Sequence, residues 1–254
     1  MGQQSSSPVR TAGLGRAVGP VPDSVCGAVL LLPDGEEVSA RRPPLVGATA
    51  FVRSLGRRFA RTGRAEGLAV HTVRYRYRGW NGSEARLAAD AEWAADEVVQ
   101  RYGDVPVCLV GVGMGGRAAL RAGGHEAVNS VVALAPWLPE EDVAAPAEPV
   151  KQLVGRRVLI VHGTNDERSD PELSFRLAAR AKKVNREVCR FEVHSDGHRL
   201  HGYRDEVVCL ADDFVRGALF GHPVSRPVED ALAAPPPIGL RMPLAAGFGS
   251  SLRR

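Results

Sequence analysis

Val107-Cys108-Leu109-Val110-Gly111-Val112-Gly113-Met114-Gly115-Gly116, running on into Arg117-Ala118-Ala119-Leu120, reads as a buried strand, a sharp glycine turn and the start of a helix. Outward from it, short runs of β-branched and aliphatic residues alternate with longer amphipathic stretches. The expected strands are Ala28 to Leu32, Ala69 to Tyr77, Val107 to Val112, Ser130 to Leu134, Arg157 to Val161 and Val188 to Val193. That alternation predicts an α/β three-layer sandwich, with a mostly parallel sheet of about six strands covered by helices on both faces. The clearest helical stripe runs from Ser83, read as its N-cap, to Tyr102 through Leu87, Ala91, Ala94 and Val98. A second stripe, about Arg204 to Leu219, is also read as core.

The chain has 254 residues, enough for one full hydrophobic core, and one domain over 23–221 is expected. Residues 1–22 and 222–254, the latter with Pro235-Pro236-Pro237, are rich in Ser, Gly or Pro without apolar periodicity and are read as disordered tails. The 33 Lys and Arg against 29 Asp and Glu are spread along the chain, so no nucleic-acid partner is expected. Arg74, Arg76 and Arg78 interleave with Tyr75 and Tyr77 in a pattern that suits RNA or an anion, although alternating strand faces explain it more simply. Cys26, Cys108, Cys189 and Cys209 sit in apolar runs without zinc-site spacing and are read as buried, reduced thiols. No membrane-spanning or secretory segment is evident, so a cytoplasmic protein without a membrane partner is expected. The Met1-Gly2 start fits an N-myristoylation pattern that recurs by chance, and Asn81-Gly82-Ser83 reads as a turn rather than a glycosylated site.

The glycine turn resembles the nucleophile elbow of α/β-hydrolases, which reads G-x-S-x-G because strand and helix pass too closely for larger side chains. Gly111 and Gly115 match, and Gly113 takes the place of the nucleophilic serine. A phosphate-cradling loop of a dinucleotide fold is the competing reading, but that loop follows the first strand and this one follows the third. Further on, Val158-Leu159-Ile160-Val161-His162-Gly163-Thr164-Asn165-Asp166 resembles the segment that carries the triad acid, and Phe191-Glu192-Val193-His194-Ser195-Asp196-Gly197-His198 the one that carries the histidine. Each taken alone is a loop carboxylate and a surface histidine; together they follow the family order of elbow, acid and base. His198 is placed ahead of His201 and His194. The resemblance makes the Met114 N–H one oxyanion donor and Asp34, in Pro33-Asp34-Gly35, the second.

The resemblance covers about residues 24 to 220 and implies a small esterase-like or dienelactone-hydrolase-like member without a large lid, only Pro136 to Pro149 lying where a lid would be. It implies no cofactor and no metal, and a small-molecule ligand or ester as partner. Three functions follow from the missing hydroxyl. The first is a serine-esterase relative deficient in acyl-enzyme hydrolysis, a pseudoenzyme. The second is an active hydrolase or lyase using Asp166 and His198 as a general base on water or substrate, and the third a non-catalytic interaction protein.

Overall fold

The computed structural model describes residues 10–18, 24–43, 50–140 and 147–250. The six expected strands form, with small changes at their ends: Gly27–Leu32 (β2), Leu68–Arg74 (β3), Val107–Val112 (β4), Val128–Leu134 (β5), Arg157–Gly163 (β6) and Val188–Val193 (β7). Two short strands extend the sheet to eight, Gly13–Leu14 (β1) and Met242–Pro243 (β8), in the order β1-β3-β2-β4-β5-β6-β7-β8. Every pairing is parallel except that of β1 with β3.

Alternation along β2 shows how the layers arise. Ala28, Leu30 and Leu32 face one apolar cluster, completed by Arg86–Tyr102 (α2), Met114–Ala122 (α3) and Pro171–Val184 (α4). Val29 and Leu31 face the other, completed by Ala50–Thr62 (α1), Arg204–Phe220 (α5) and Arg226–Ala233 (α6). Both faces of the central strands are therefore dry, which is why they read as unbroken apolar runs.

Both expected tails need correction. Residues 13–18 form an antiparallel edge, with Gly15 N–H donating to Thr72 O and Val18 N–H to Val70 O, each at 2.9 Å; residues 1–9 and 19–22 lie outside the described residues. At the other end α6 buries Val228 and Ala231, and Leu240 and Leu244 join the two clusters. Of this second tail only 251–254 lie outside the described residues. The anchor is Arg190, fully buried on β7, whose guanidinium donates to Leu240 O at 2.9 Å, to Pro171 O at 3.1 Å and to Glu192 at 2.7 Å.

Three local expectations also change. Helix α2 begins at Arg86 rather than Ser83, because Asn81, left-handed at φ 60°, turns its amide to the Ser39 backbone and Gly82–Glu84 form a separate 3-10 turn. Strand β3 stops at Arg74; beyond it the Arg76 guanidinium turns to the buried Asp90 carboxylate at 2.5 Å. Cys26 is exposed, while Cys108, Cys189 and Cys209 are buried as expected. No helix among the described residues is long and apolar enough to cross a membrane.

Candidate active site

At the carboxyl edge of the sheet β4 is followed by Gly113, at φ 56° and ψ −121°, and α3 starts at the next residue. A side chain in this conformation costs about 1–3 kcal/mol, which glycine avoids. The flanking glycines are required by the close pass: a Cβ on Gly111 would meet the Gly115 carbonyl, and one on Gly115 the carbonyls of Leu32 and Pro33. The tight strand-to-helix turn thus forms with glycine at its centre. The two fully buried thiols supply no substitute, since burial pushes Cys108 and Cys189 up to about 12 and keeps them protonated.

Asp166 follows β6 and His198 follows β7, and the structure brings them together: His198 Nδ1 lies 2.7 Å from Asp166 Oδ2. His194 and His201 are exposed and make no contact with this carboxylate. Asp166 also accepts the N–H groups of Arg168 and Ser169, at 2.8 and 3.1 Å, and faces the buried His162 Nε2 at 3.0 Å. Burial raises its proton affinity, but the hydrogen bonds from His162 and His198 and the nearby His198 charge outweigh that and hold the carboxyl well below the usual carboxylate range. As an ionised acceptor it fixes His198 with the proton on Nδ1, leaving Nε2 as the basic atom. That Nε2 is buried and has no hydrogen-bond partner.

The loop carrying His198 is held from beneath by Asp196. Its carboxylate accepts four backbone N–H groups, those of Gly197, His201, Gly202 and Tyr203, at 2.9, 3.2, 2.9 and 3.2 Å. Asp196→Ala is expected to lower unfolding free energy by about 3 kcal/mol, read in a urea titration.

His162 had no role assigned from sequence. Its Nδ1 stands 2.8 Å from the Ser174 hydroxyl, which takes the Arg190 Nε–H at 3.0 Å, so a buried polar chain runs from Arg190 to the Asp166 carboxylate. Burial lowers the proton affinity of His162 below its ordinary 6.5, outweighing Asp166. The buried His71 is shifted the same way, chiefly by burial. The unfolded chain takes up these protons as pH falls through about 6.5 and the folded chain resists, so stability should drop below that pH. Melting temperatures measured from pH 7.5 to 5 should show this decline, and His162→Gln should flatten it.

Asp34 is where the structure departs most from expectation. The resemblance makes it a backbone donor; in the structure its side chain lies against the backbone N–H groups of the turn after β4 and of its own turn. Asp34 Oδ1 accepts the Met114 N–H and the Gly35 N–H, both at 2.8 Å. The N–H beside that of Met114 is thus Gly35's, because the Asp-Gly turn folds the carboxylate back over the next amide. Asp34 Oδ2 pairs with Arg168 at 2.6 Å and lies 4.0 Å from His198 Nε2. A Cβ on Gly113 would fall inside the contact distance of Asp34 Oδ1.

A cavity of about 710 Å³ opens beside Asp34 and His198, reached also by Phe51, Tyr75 and His201. Among the described residues seven arginines line it, against the single carboxylate of Asp34. Two of them are paired, Arg168 with Asp34 and Arg78 with Glu36 at 3.3 Å. Of the stretch from Pro136 to Pro149, residues 141–146 lie outside the described residues.

The architecture and the order of these loops are those of the α/β-hydrolase fold. Solved structures agree. An esterase of Pyrococcus furiosus superposes with a TM-score of 0.57 at 15% identity, covering 77% of this chain and 84% of that one. Est1E from Butyrivibrio proteoclasticus, with ferulic acid bound, gives 0.57 at 14% over 82% and 94%. An α/β serine hydrolase without a lid from Xanthomonas campestris gives 0.55 at 16% over 84% and 89%. No family model matches the sequence, and no curated protein matches it. At these identities the likeness is one of fold.

Proposed function

We propose that this chain is an esterase-like α/β-hydrolase-fold protein that has lost acyl-enzyme hydrolysis and works by binding a ligand in its arginine-lined cavity. One observation carries the reading: Asp34 Oδ1 holds both N–H groups that an acyl oxyanion would need. An ester carbonyl meets neither a hydroxyl at Gly113 nor a vacant pair of donors. Deleting the nucleophile alone leaves only about 10³–10⁴-fold over water, and that remainder depends on the hole being free. The native protein is expected to hydrolyse p-nitrophenyl acetate no faster than buffer and to resist a fluorophosphonate probe. Turnover above buffer overturns the reading.

A second reading is favoured by the unpartnered His198 Nε2. With Asp166 behind it, His198 is oriented to take a proton from water or from an acidic substrate carbon, which is worth about 10²–10⁴-fold. It requires that His198→Ala abolish whatever turnover is found.

A further inference from the structure

The cavity wall is far more cationic than the chain as a whole, which carries a net charge of +4. Beyond the two paired arginines, Arg16, Arg53, Arg74, Arg199 and Arg204 make no ion pair among the described residues. They come from five separate places: the exit of β1, helix α1, the end of β3, the His198 loop and the first residue of α5. The Arg204 Nε is buried without a hydrogen-bond partner, although its guanidinium stacks 5.6 Å from the Phe51 ring. Gathering like charges in one concavity is unfavourable unless an anion offsets it. The first residues of α1 and α5, Ala50 and Arg204, also line the wall, adding the positive ends of two helices. The chain's own Asp34 is already held there as an anion.

We propose that the cavity binds a small phosphorylated polyanion, gripped by Arg16, Arg53, Arg74, Arg199 and Arg204. Guanidiniums on five segments call for a ligand with more than one anionic group, and a phosphate offers nearly two charges and three strong acceptors to their planar forks. A volume of about 710 Å³ fits a compact molecule. Nucleic acid is disfavoured because, among the described residues lining the cavity, the Phe51 and Tyr75 rings are buried and offer no platform for bases. Tyr75 is buried with its hydroxyl on Pro33 O at 3.1 Å, and Arg10 and Arg86 lie over the Tyr77 ring at 5.0 and 4.4 Å.

This inference rests on the cavity being the ligand site of the reading above, and not on the loss of turnover. Calorimetric titration of the full chain with inorganic pyrophosphate tests it at 50 and 300 mM NaCl. Saturable binding is expected, weaker at the higher salt, and weakened at least tenfold by Arg74→Ala or Arg199→Glu. Both sites are exposed, so these variants should keep the native melting temperature. Asp34→Ala should bind more tightly, because it releases the Met114 and Gly35 N–H groups and Arg168 to the ligand. Arg226→Ala, on α6 and paired with Asp230, should change nothing. Absence of saturable binding, equal affinity in the cavity variants, or tighter arginine-dependent binding of a single-stranded oligonucleotide each overturns the proposal. Ester turnover by the native protein, with pyrophosphate binding intact, would overturn only the earlier reading.

Discussion

Gly113→Ser alone is expected to remain inert toward a fluorophosphonate, whereas Gly113→Ser combined with Asp34→Ala is labelled and hydrolyses p-nitrophenyl acetate at least about 100-fold faster than the native protein. The order follows from the geometry. A serine Cβ at 113 would collide with Asp34 Oδ1, and because two N–H groups and Arg168 hold that carboxylate in place, the serine is the group pushed out of line. It also reinstates about 1–3 kcal/mol of backbone strain and should melt earlier. Removing the Asp34 side chain frees the Met114 and Gly35 N–H groups, and the new hydroxyl then faces a histidine already oriented by Asp166. Adding His198→Ala should erase the gain. A single variant as reactive as the double would mean that Asp34 does not block the hole; an inert double variant would mean that His198 cannot serve a nucleophile at 113.

Removing residues 222–254 is expected to leave the chain insoluble, or destabilised by more than about 5 kcal/mol in guanidinium titrations. Val228, Leu240 and Leu244 are buried, and a fully buried side chain of this kind contributes about 1.5–3 kcal/mol. Truncation also strips Arg190 of its Leu240 carbonyl and Glu192 of Arg241, which sits 3.1 Å away, stranding charges that were buried with partners. Within the full chain Leu240→Ala should cost about 2–4 kcal/mol. A truncated protein with native stability would show that the segment merely rests on the sheet.

The sequence made the central strands legible because each is dry on both faces and so carries its own apolar run. It also made the sharp strand-to-helix turn legible, because the close pass of β4 and α3 demands small residues at Gly111 and Gly115. The contact of Asp166 with His198 is legible from their order and from the strands that deliver them. The last segment was not, because Val228, Leu240 and Leu244 are isolated among prolines and acquire meaning only against β7 and α5. Arg190 gave no signal either, since an arginine in a strand is ordinarily read as exposed.

Two features are set by the fold and not by the order of residues along the chain. The arginines are scattered from Arg16 to Arg204 and so looked unclustered along the chain, yet the sheet's carboxyl edge collects them around one cavity. Asp34 lies beside the turn at Gly113, and whether a loop residue contributes its amide or its side chain depends on what stands opposite. Only the absence of a side chain at Gly113 leaves room for that carboxylate.

Asp34 is fastened from three loops at once: by Gly35 in its own, by Met114 after β4 and by Arg168 after β6. A molecule that docks on the outer arginines can enter without disturbing this clasp. One that must reach the two N–H groups has to displace a charge-assisted pair and unfasten the loop after β2 from the loop after β6. If the cavity binds the anion proposed above, the same carboxylate would separate arrival from full engagement in time, with a fast outer berth and a slower inner one.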